Sequence, residues 1–174
     1  MKKIAIILIS LFLFAGVSFA SDPADFIVVL DQSGSIYHNL PVVKEYVKKS
    51  IVKTVAKEED NIYIFSFDGL FHFHKTLKGK AADSEIDEVL NSINAVGMYT
   101  DLTNAVEKMR EYIQNSTDPD RRKVVFFLTD GVNDPPYFSP YKEGLNHRFF
   151  QDSKKTVMEG GWRVFVTGIG NKTD

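Results

Sequence analysis

An unbroken apolar run, FIVVL at residues 26–30, stops abruptly at the polar sequence DQSGS at residues 31–35. A continuous apolar run is typical of a strand that is buried on both faces of a parallel sheet. From Leu40 onward, apolar residues recur at helical spacing, and Pro41 stands near the start, where its missing N–H is harmless. This part of the chain therefore predicts a strand, a polar loop and a helix.

The next segment predicts a hairpin followed by two helices. Two strand-like runs, 62–67 and 70–77, meet at Asp68-Gly69, a dipeptide typical of a tight turn. Apolar residues at helical spacing then mark a short helix up to residue 93, for which Asp83 or Ser84 is the predicted cap. A second helix begins at about residue 102.

The carboxyl half repeats the pattern of the beginning. The run VVFFL at 124–128 stops at the polar turn Thr129-Asp130-Gly131, and a loop rich in Pro and Tyr follows. A helix of about a dozen residues then ends at Gly160-Gly161, before a last strand at 162–169. Together these elements predict one α/β domain with a doubly wound (Rossmann-like), mostly parallel sheet, one antiparallel edge hairpin, and helices on both faces.

The amino-terminal residues resemble an export signal. Lys2 and Lys3 precede an uncharged apolar run, and Ser18-Phe19-Ala20 places small residues where a signal peptidase reads them. We predict a signal peptide at 1–20 and a mature domain at 21–174, with no stable membrane span after cleavage. The product is expected in the periplasm, at the cell surface or in the medium.

Composition narrows the classes of partner. The chain has no Cys, which excludes disulfides and thiolate metal sites. Without Lys2 and Lys3 the 21 basic and 23 acidic residues become 19 and 23, a net charge of −4. This balance argues against nucleic acid as a partner, because binding to phosphates requires a basic surface.

Polar side chains follow the two buried strands at the edge where ligands bind in such sheets. Asp31, Ser33 and Ser35 follow the first strand, and Asp130 follows the second. Carboxylate and hydroxyl oxygens suit hard divalent cations, of which Mg²⁺ and Mn²⁺ fit a site that retains water, and Ca²⁺ is the alternative. The same residue types are also common in ordinary turns and helix caps.

The combination resembles the von Willebrand factor A (vWA) domain family. That family carries a metal-ion-dependent adhesion site (MIDAS) with an Asp-x-Ser-x-Ser loop, a Thr in a later loop and an Asp after the fourth strand. Residues at matching places in this chain are Asp31, Ser33, Ser35, Thr100 and Asp130. The resemblance covers about 25 to 170 and includes the Thr-Asp-Leu sequence that opens a helix at 100–102.

The resemblance implies a binding protein. The three hydroxyls would be direct ligands of the metal, the two Asp would bind directly or through water, and a carboxylate of a protein partner would complete the shell. The sequence departs from the family in two respects: Met98-Tyr99 replaces one Gly of the usual pair before Thr100, and we expect 21–174 to lack the family's last helix and edge strand. The sequence does not indicate an oligomeric state.

Two other functions compete with metal-dependent adhesion. A phosphotransferase of the haloacid dehalogenase type also places an Asp after its first strand, but its mechanism needs a second acid where Ser33 stands. A domain that keeps the fold without the metal would serve as an assembly surface. We predict no enzymatic activity, and we expect chelators to distinguish the two binding alternatives.

Three other groups of residues can be interpreted either as functional sites or as ordinary structural features. His72 and His74 are predicted on a solvated strand face that alternates with inward Phe side chains, in preference to a zinc site. The basic residues at 121–123 are predicted as a solvated loop, in preference to an anion site. Four aromatic residues are predicted on loops that border the crevice at the carboxyl ends of the strands, where they would either anchor a partner or pin their own loops. They are Tyr99, Tyr137, Phe138 and Tyr141.

Overall fold

The computed structural model describes residues 22–131, 133–142, 155 and 160–168. The signal peptide predicted at 1–20 and most of the helix predicted before Gly160 lie outside the described residues. Within these ranges five strands form one sheet in the order β3-β2-β1-β4-β5. The strands are β1 Ala24–Asp31, β2 Asn61–Phe67, β3 Phe71–Lys78, β4 Arg122–Thr129 and β5 Arg163–Gly168.

In the described part of the chain, three helices longer than a single turn cover the two faces of this sheet. They are α1 Leu40–Tyr46, which continues as a π-helical segment Val47–Val55, α2 Asp83–Ser92 and α3 Leu102–Ser116. Alternate side chains of β1 point to opposite faces: Val28 and Leu30 join the core under α1 and α2, whereas Ile27 and Val29 join the core under α3. The predicted fold class is confirmed. Pro41 lies in the first turn of α1, as predicted.

The pairing of the strands brings their carboxyl ends together. β1 runs parallel to both β2 and β4, and Leu30 pairs with Ser66 on one side and Leu128 on the other. β4 and β5 are also parallel, whereas β2 and β3 form the predicted antiparallel hairpin around Asp68-Gly69. The polar residues that follow β1, β2 and β4 therefore share one edge of the sheet.

The predicted cap of α2 was wrong. Ala82 holds the cap position and makes no side-chain hydrogen bond, while Asp83 is the first residue of the helix. The Asp83 carboxylate instead lies 2.6 Å from Lys53 and 3.6 Å from Lys48, which reach it from the π-helical segment. In the first turn the carboxylate still favours the helix, because the amino end of a helix carries partial positive charge.

The solvated strand face predicted for the two His was also wrong for His74. The pairing of β2 with β3 shifts register between Ile64 and Phe65, and His74 is the additional residue of this bulge. Its Nε2 lies 2.7 Å from the Ser66 hydroxyl, and its Nδ1 lies 3.4 Å from that of Ser92 on α2. Burial, together with the neighbouring His72, lowers the pKa of His74.

The solvated loop predicted at 121–123 was wrong for Arg121 and Lys123, whereas Arg122 is exposed, and both Arg122 and Lys123 lie in β4. The Asp25 side chain is fully buried at the amino end of the sheet, and it lies 2.7 Å from Arg121 and 2.9 Å from Lys123. Arg121 also donates to the main-chain oxygens of Ala24 and Glu59, each at 2.9 Å. This cluster, which we call the amino-end ion cluster, joins the starts of three strands.

In the described part of the chain, none of the helices combines the length and the apolar character needed to cross a bilayer.

Candidate metal centre

Asp31, the last residue of β1, lies at the centre of the polar edge. Its side chain is fully buried, and its two carboxylate oxygens accept hydrogen bonds from the Ser33 backbone N–H at 2.8 Å and the Thr129 hydroxyl at 2.7 Å. Burial raises the pKa of Asp31, these hydrogen bonds oppose that rise, and the nearby Asp130 carboxylate adds to it. A buried anion with a second anion beside it is an environment that a bound cation would stabilise.

The two serines of the loop after β1 face each other. The Oγ atoms of Ser33 and Ser35 are 3.0 Å apart, with Ser33 buried and Ser35 exposed. Because Ser33 also donates its backbone N–H to Asp31, the three polar residues of this loop form one connected group. Their alternation along the chain is what places the side chains on the same side of the turn.

A second loop is fastened to the first through Gly97. Its N–H donates to the Gln32 oxygen at 3.1 Å, and its carbonyl accepts from the Gly34 N–H at 2.8 Å. A Cβ at Gly97 would stand 2.4 Å from the Cβ of Asp68. Only glycine therefore fits between the β2–β3 turn and the loop at 31–35, which we call the metal loop. The loop that carries Thr100 is thereby fixed relative to the loop that carries the serines.

Thr100 is held from the other side by the loop after β4. Its backbone exchanges hydrogen bonds with Asp134 at 2.9 and 2.8 Å. The residue is buried.

Asp101, which follows Thr100, fixes the start of α3. One of its carboxylate oxygens accepts from the Asn104 N–H at 3.0 Å, as expected of a helix cap, and the other accepts from the Ser139 hydroxyl. The Leu102 N–H donates to the Asn133 side chain at 3.0 Å. These bonds connect the Thr100 loop with the loop after Asp130, so three loops meet around one point.

Asp130 approaches Asp31 from the end of β4. It is half-buried, and its charge acts on the Asp31 carboxylate. The turn that follows depends on Gly131, whose φ of +83° favours glycine, and the Gly131 N–H donates to the Thr129 hydroxyl at 3.0 Å. Of the five predicted ligands, Asp31, Ser33 and Ser35 form one bonded group, Asp130 acts on that group electrostatically, and Thr100 is connected through backbone contacts between loops.

The donor set consists of oxygens alone. Two carboxylates and three hydroxyls match the ligands that Mg²⁺ and Mn²⁺ prefer, and the two negative charges balance one divalent ion. Among residues 22–131, 133–142, 155 and 160–168 there is no group of three or more His, Cys, Asp or Glu side chains that could hold a metal. The described residues therefore fit a hydroxyl-rich site and offer no alternative of the zinc type.

Sequence reasoning missed Thr129 as part of this site. The residue was identified only as the start of a polar turn, yet its hydroxyl links Asp31 to Gly131. The signal was available in the register, because pairing of Leu30 with Leu128 places the following residues, Asp31 and Thr129, side by side.

Of the aromatic residues predicted to border the crevice, Tyr137 and Phe138 are exposed and in edge-to-face contact, with ring centroids 5.3 Å apart. Tyr99 and Tyr141 are half-buried. The first pair remains available to a partner, whereas Tyr99 packs beside Gly69 and so pins its own loop.

The comparison with known families settles what kind of domain this is. A family model described as the von Willebrand factor type A domain matches residues 26–133. The chain belongs to that family. The matched range of this von Willebrand factor A domain begins in β1 and contains all five candidate ligands.

A curated relative is an uncharacterized protein of Treponema pallidum (strain Nichols), which is 27% identical over 126 residues. The alignment covers 69% of this chain and 56% of the relative, so the chain spans a little over half the length of that protein.

Several solved structures are similar to this chain in fold. The pilus adhesin SpaC from Lactobacillus rhamnosus GG has a TM-score of 0.64 and 17% identity, over 86% of this chain and 24% of its own. A von Willebrand factor type A structure from Catenulispora acidiphila has values of 0.63 and 13%, over 83% and 33%. The manganese-loaded TRAP protein of Plasmodium vivax has values of 0.59 and 19%, over 87% and 59%. At these identities the likeness shows the fold alone.

Proposed function

We propose that this von Willebrand factor A domain binds one divalent metal ion and uses it to hold a carboxylate of a protein partner. Mg²⁺ is the expected ion, with Mn²⁺ or Ca²⁺ as substitutes. The residues that hold it are Asp31, Ser33, Ser35, Thr100 and Asp130.

The environment of Asp31 carries this proposal. The Asp31 carboxylate is fully buried, has a raised pKa and lies near a second carboxylate, and no cationic side chain of the described residues contacts it. This environment is unfavourable unless a cation binds. The amino-end ion cluster provides a contrast within the same sheet. There the equally buried Asp25 is neutralised by Arg121 and Lys123.

The neutral hydroxyls explain why the ion would grip a partner. Two carboxylates only just balance a divalent charge, and hydroxyl ligands are neutral, so the bound ion still attracts anions. An additional carboxylate from outside is then a favourable ligand. The manganese-loaded TRAP protein and the pilus adhesin SpaC, which share the fold, support metal loading and adhesion as activities that it accommodates.

We propose further that the domain acts outside the cytoplasm and that it binds without catalysing a reaction. The basic and then apolar residues at 1–20 support export. The position that would carry the acid of a haloacid dehalogenase is Ser33, whose Oγ faces the Ser35 hydroxyl. A proton donor for a leaving group is therefore missing from that position.

Calorimetric titration of Mg²⁺ and Mn²⁺ into the purified protein tests the proposal. We expect about one ion per chain in the wild type and none in Asp31→Ala, because that change removes the central ligand. Asp120→Ala, an exposed Asp at the opposite end of the sheet, is the matched control and is expected to bind as the wild type does.

Acetate, a mimic of the partner's carboxylate, helps to separate metal-dependent adhesion from metal-independent assembly. Adding acetate as a mimic of the partner's carboxylate is expected to strengthen binding of Mg²⁺, because the acetate would complete the shell. A folded wild-type protein that binds neither ion, with or without acetate, would refute the metal site and leave a metal-independent assembly surface as the function.

A further inference from the structure

A groove with a volume of about 600 Å³ opens beside the metal loop. One wall is formed by Tyr37 and His38, and another by the start of α1. The third wall is the segment that leads into the Thr100 loop, where Ala95 and Val96 line the groove. Tyr37 and Val96 are 65% and 78% exposed, so two large apolar side chains stand at its rim facing water.

The groove and the candidate metal centre are built on neighbouring stretches of the same two loops. Tyr37 follows Ser35 by two residues, and Val96 directly precedes Gly97, whose backbone is bonded to Gln32 and Gly34. The two features share the same two loops as walls.

One charged residue of the groove lacks a counter-ion. Lys44 is half-buried in α1, and in the described part of the chain no carboxylate pairs with it. The other lysines of α1 and its π-helical continuation each have a carboxylate partner: Lys48 with Asp87 at 2.7 Å, Lys49 with Glu45 at 2.6 Å, and Lys53 with Asp83 at 2.6 Å. Burial also lowers the pKa of Lys44, as expected for an ammonium group that is partly removed from water and unpaired.

We propose that the groove is a second recognition site for an acidic segment of the protein partner, in which an apolar side chain fills the groove and a carboxylate pairs with Lys44. Charge complementarity identifies this occupant, because an unpaired ammonium beside apolar walls favours a ligand that carries both properties. That the same segment also places a carboxylate on the metal rests on the function proposed above.

The site gives the partner a defined chemistry. A metal ion alone accepts any exposed carboxylate and therefore selects poorly. An adjoining groove that requires an apolar group next to a second carboxylate restricts the choice to segments with two acidic residues around an apolar one. Binding in the groove itself does not require the metal.

The simplest probe of the groove is 3-phenylpropionate, which joins an aromatic ring to one carboxylate. It is titrated into ¹⁵N-labelled protein in the presence of EDTA, so that no metal contributes. We expect the amide resonances of Tyr37, Ala95 and Val96 to shift in a saturable manner. The neutral analogue 3-phenylpropanol is expected to bind about tenfold more weakly, because it lacks the charge that pairs with Lys44.

Two matched variants locate the effect. Lys44→Met retains the apolar stem but removes the charge, and it is expected to weaken binding of 3-phenylpropionate about tenfold. Lys49→Met removes an exposed charge from the same helix and should leave the affinity unchanged. Equal affinity in Lys44→Met and the wild type, or shifts confined to residues away from the groove, would overturn the proposal.

The two proposals can fail separately. If 3-phenylpropionate binds as expected but Mg²⁺ does not bind, the groove stands and the metal function is wrong. If Mg²⁺ binds but Lys44→Met does not weaken the probe, the metal function stands and the groove is wrong. A short peptide, acetyl-Glu-Gly-Phe-Glu-amide, then joins them: its affinity should rise with Mg²⁺ in the wild type and fall in Lys44→Met both with and without Mg²⁺.

Discussion

Replacing Asp31 by Asn is expected to have opposite effects on stability without and with metal. The amide keeps nearly the same shape and an oxygen that accepts from the Ser33 N–H, but it removes a charge that is fully buried. The charge of Asp130 is then no longer opposed by a like charge. In EDTA the variant should therefore be more stable than the wild type, and in Mg²⁺ less stable.

The magnitude follows from two terms. Neutralising an uncompensated buried carboxylate recovers about 1–3 kcal/mol, and weakening its two charge-assisted hydrogen bonds returns part of this, which leaves a gain of about 1 kcal/mol. For a domain of this size that gain raises the Tm by about 2–4 °C. Mg²⁺ at a hundredfold excess over its Kd stabilises the wild type by about 2.7 kcal/mol, and it should not stabilise the variant.

The dependence on pH has a definite sign. Because burial raises the pKa of Asp31 above its usual 3.8, the contribution of this group to the stability of the metal-free wild type is largest below that value and is lost as the pH rises through the folded-state pKa. The variant lacks this loss, so its advantage in EDTA should be absent at low pH and fully developed at neutral pH.

Thermal unfolding in EDTA and in Mg²⁺ measures the stability difference without metal and the stabilisation by metal. Repeating it between pH 3.5 and 7.5, an estimated working range for a carboxylate, measures the dependence on pH. A variant that is less stable than the wild type in EDTA would show that Asp31 is satisfied without a cation. A variant that gains stability from Mg²⁺ as the wild type does would place the metal elsewhere. Either result refutes the reasoning.

Two further substitutions test the neighbourhood of the site and the opposite end of the sheet. Thr129→Val removes the hydroxyl that orients Asp31. We expect the free energy of unfolding in urea to fall by about 1–2 kcal/mol and the Mg²⁺ affinity measured by calorimetry to weaken about tenfold. An unchanged affinity would exclude a positioning role for Thr129. Asp25→Asn breaks the amino-end ion cluster and should lower the free energy of unfolding by about 3 kcal/mol without changing Mg²⁺ affinity, whereas a loss below about 1 kcal/mol would show that the cluster is dispensable.

The sequence predicted those features that depend on local pattern. The two buried strands appear as unbroken apolar runs, and the hairpin appears as Asp68-Gly69 between two strand-like segments. The positions of Asp31 and Asp130 follow from where those runs stop. Asp31, Ser33, Ser35 and Asp130 could thus be predicted as neighbours, because a parallel sheet gathers the ends of its strands, whereas Thr100 was named only through the resemblance to the vWA family.

The remaining features depend on partners distant in the chain. Arg121 meets Asp25 across 96 positions, and no local pattern records that pairing. The bulge at His74 has no Gly or Pro to mark it, and it arises where the edge strand adjusts to α2. The cap of α2 was misjudged because lysines from another segment attract Asp83, a tertiary contact that outweighs the local preference.

The amino-end ion cluster also bears on how such a domain can diversify. Its buried ion pairs secure three strands at the end of the sheet that lies away from the polar loops. Exchange of residues in the Thr100 loop, the groove or the loop after Asp130 leaves the contacts of this cluster untouched. New binding preferences could then be grafted onto one rim of the domain while the other rim stays unchanged.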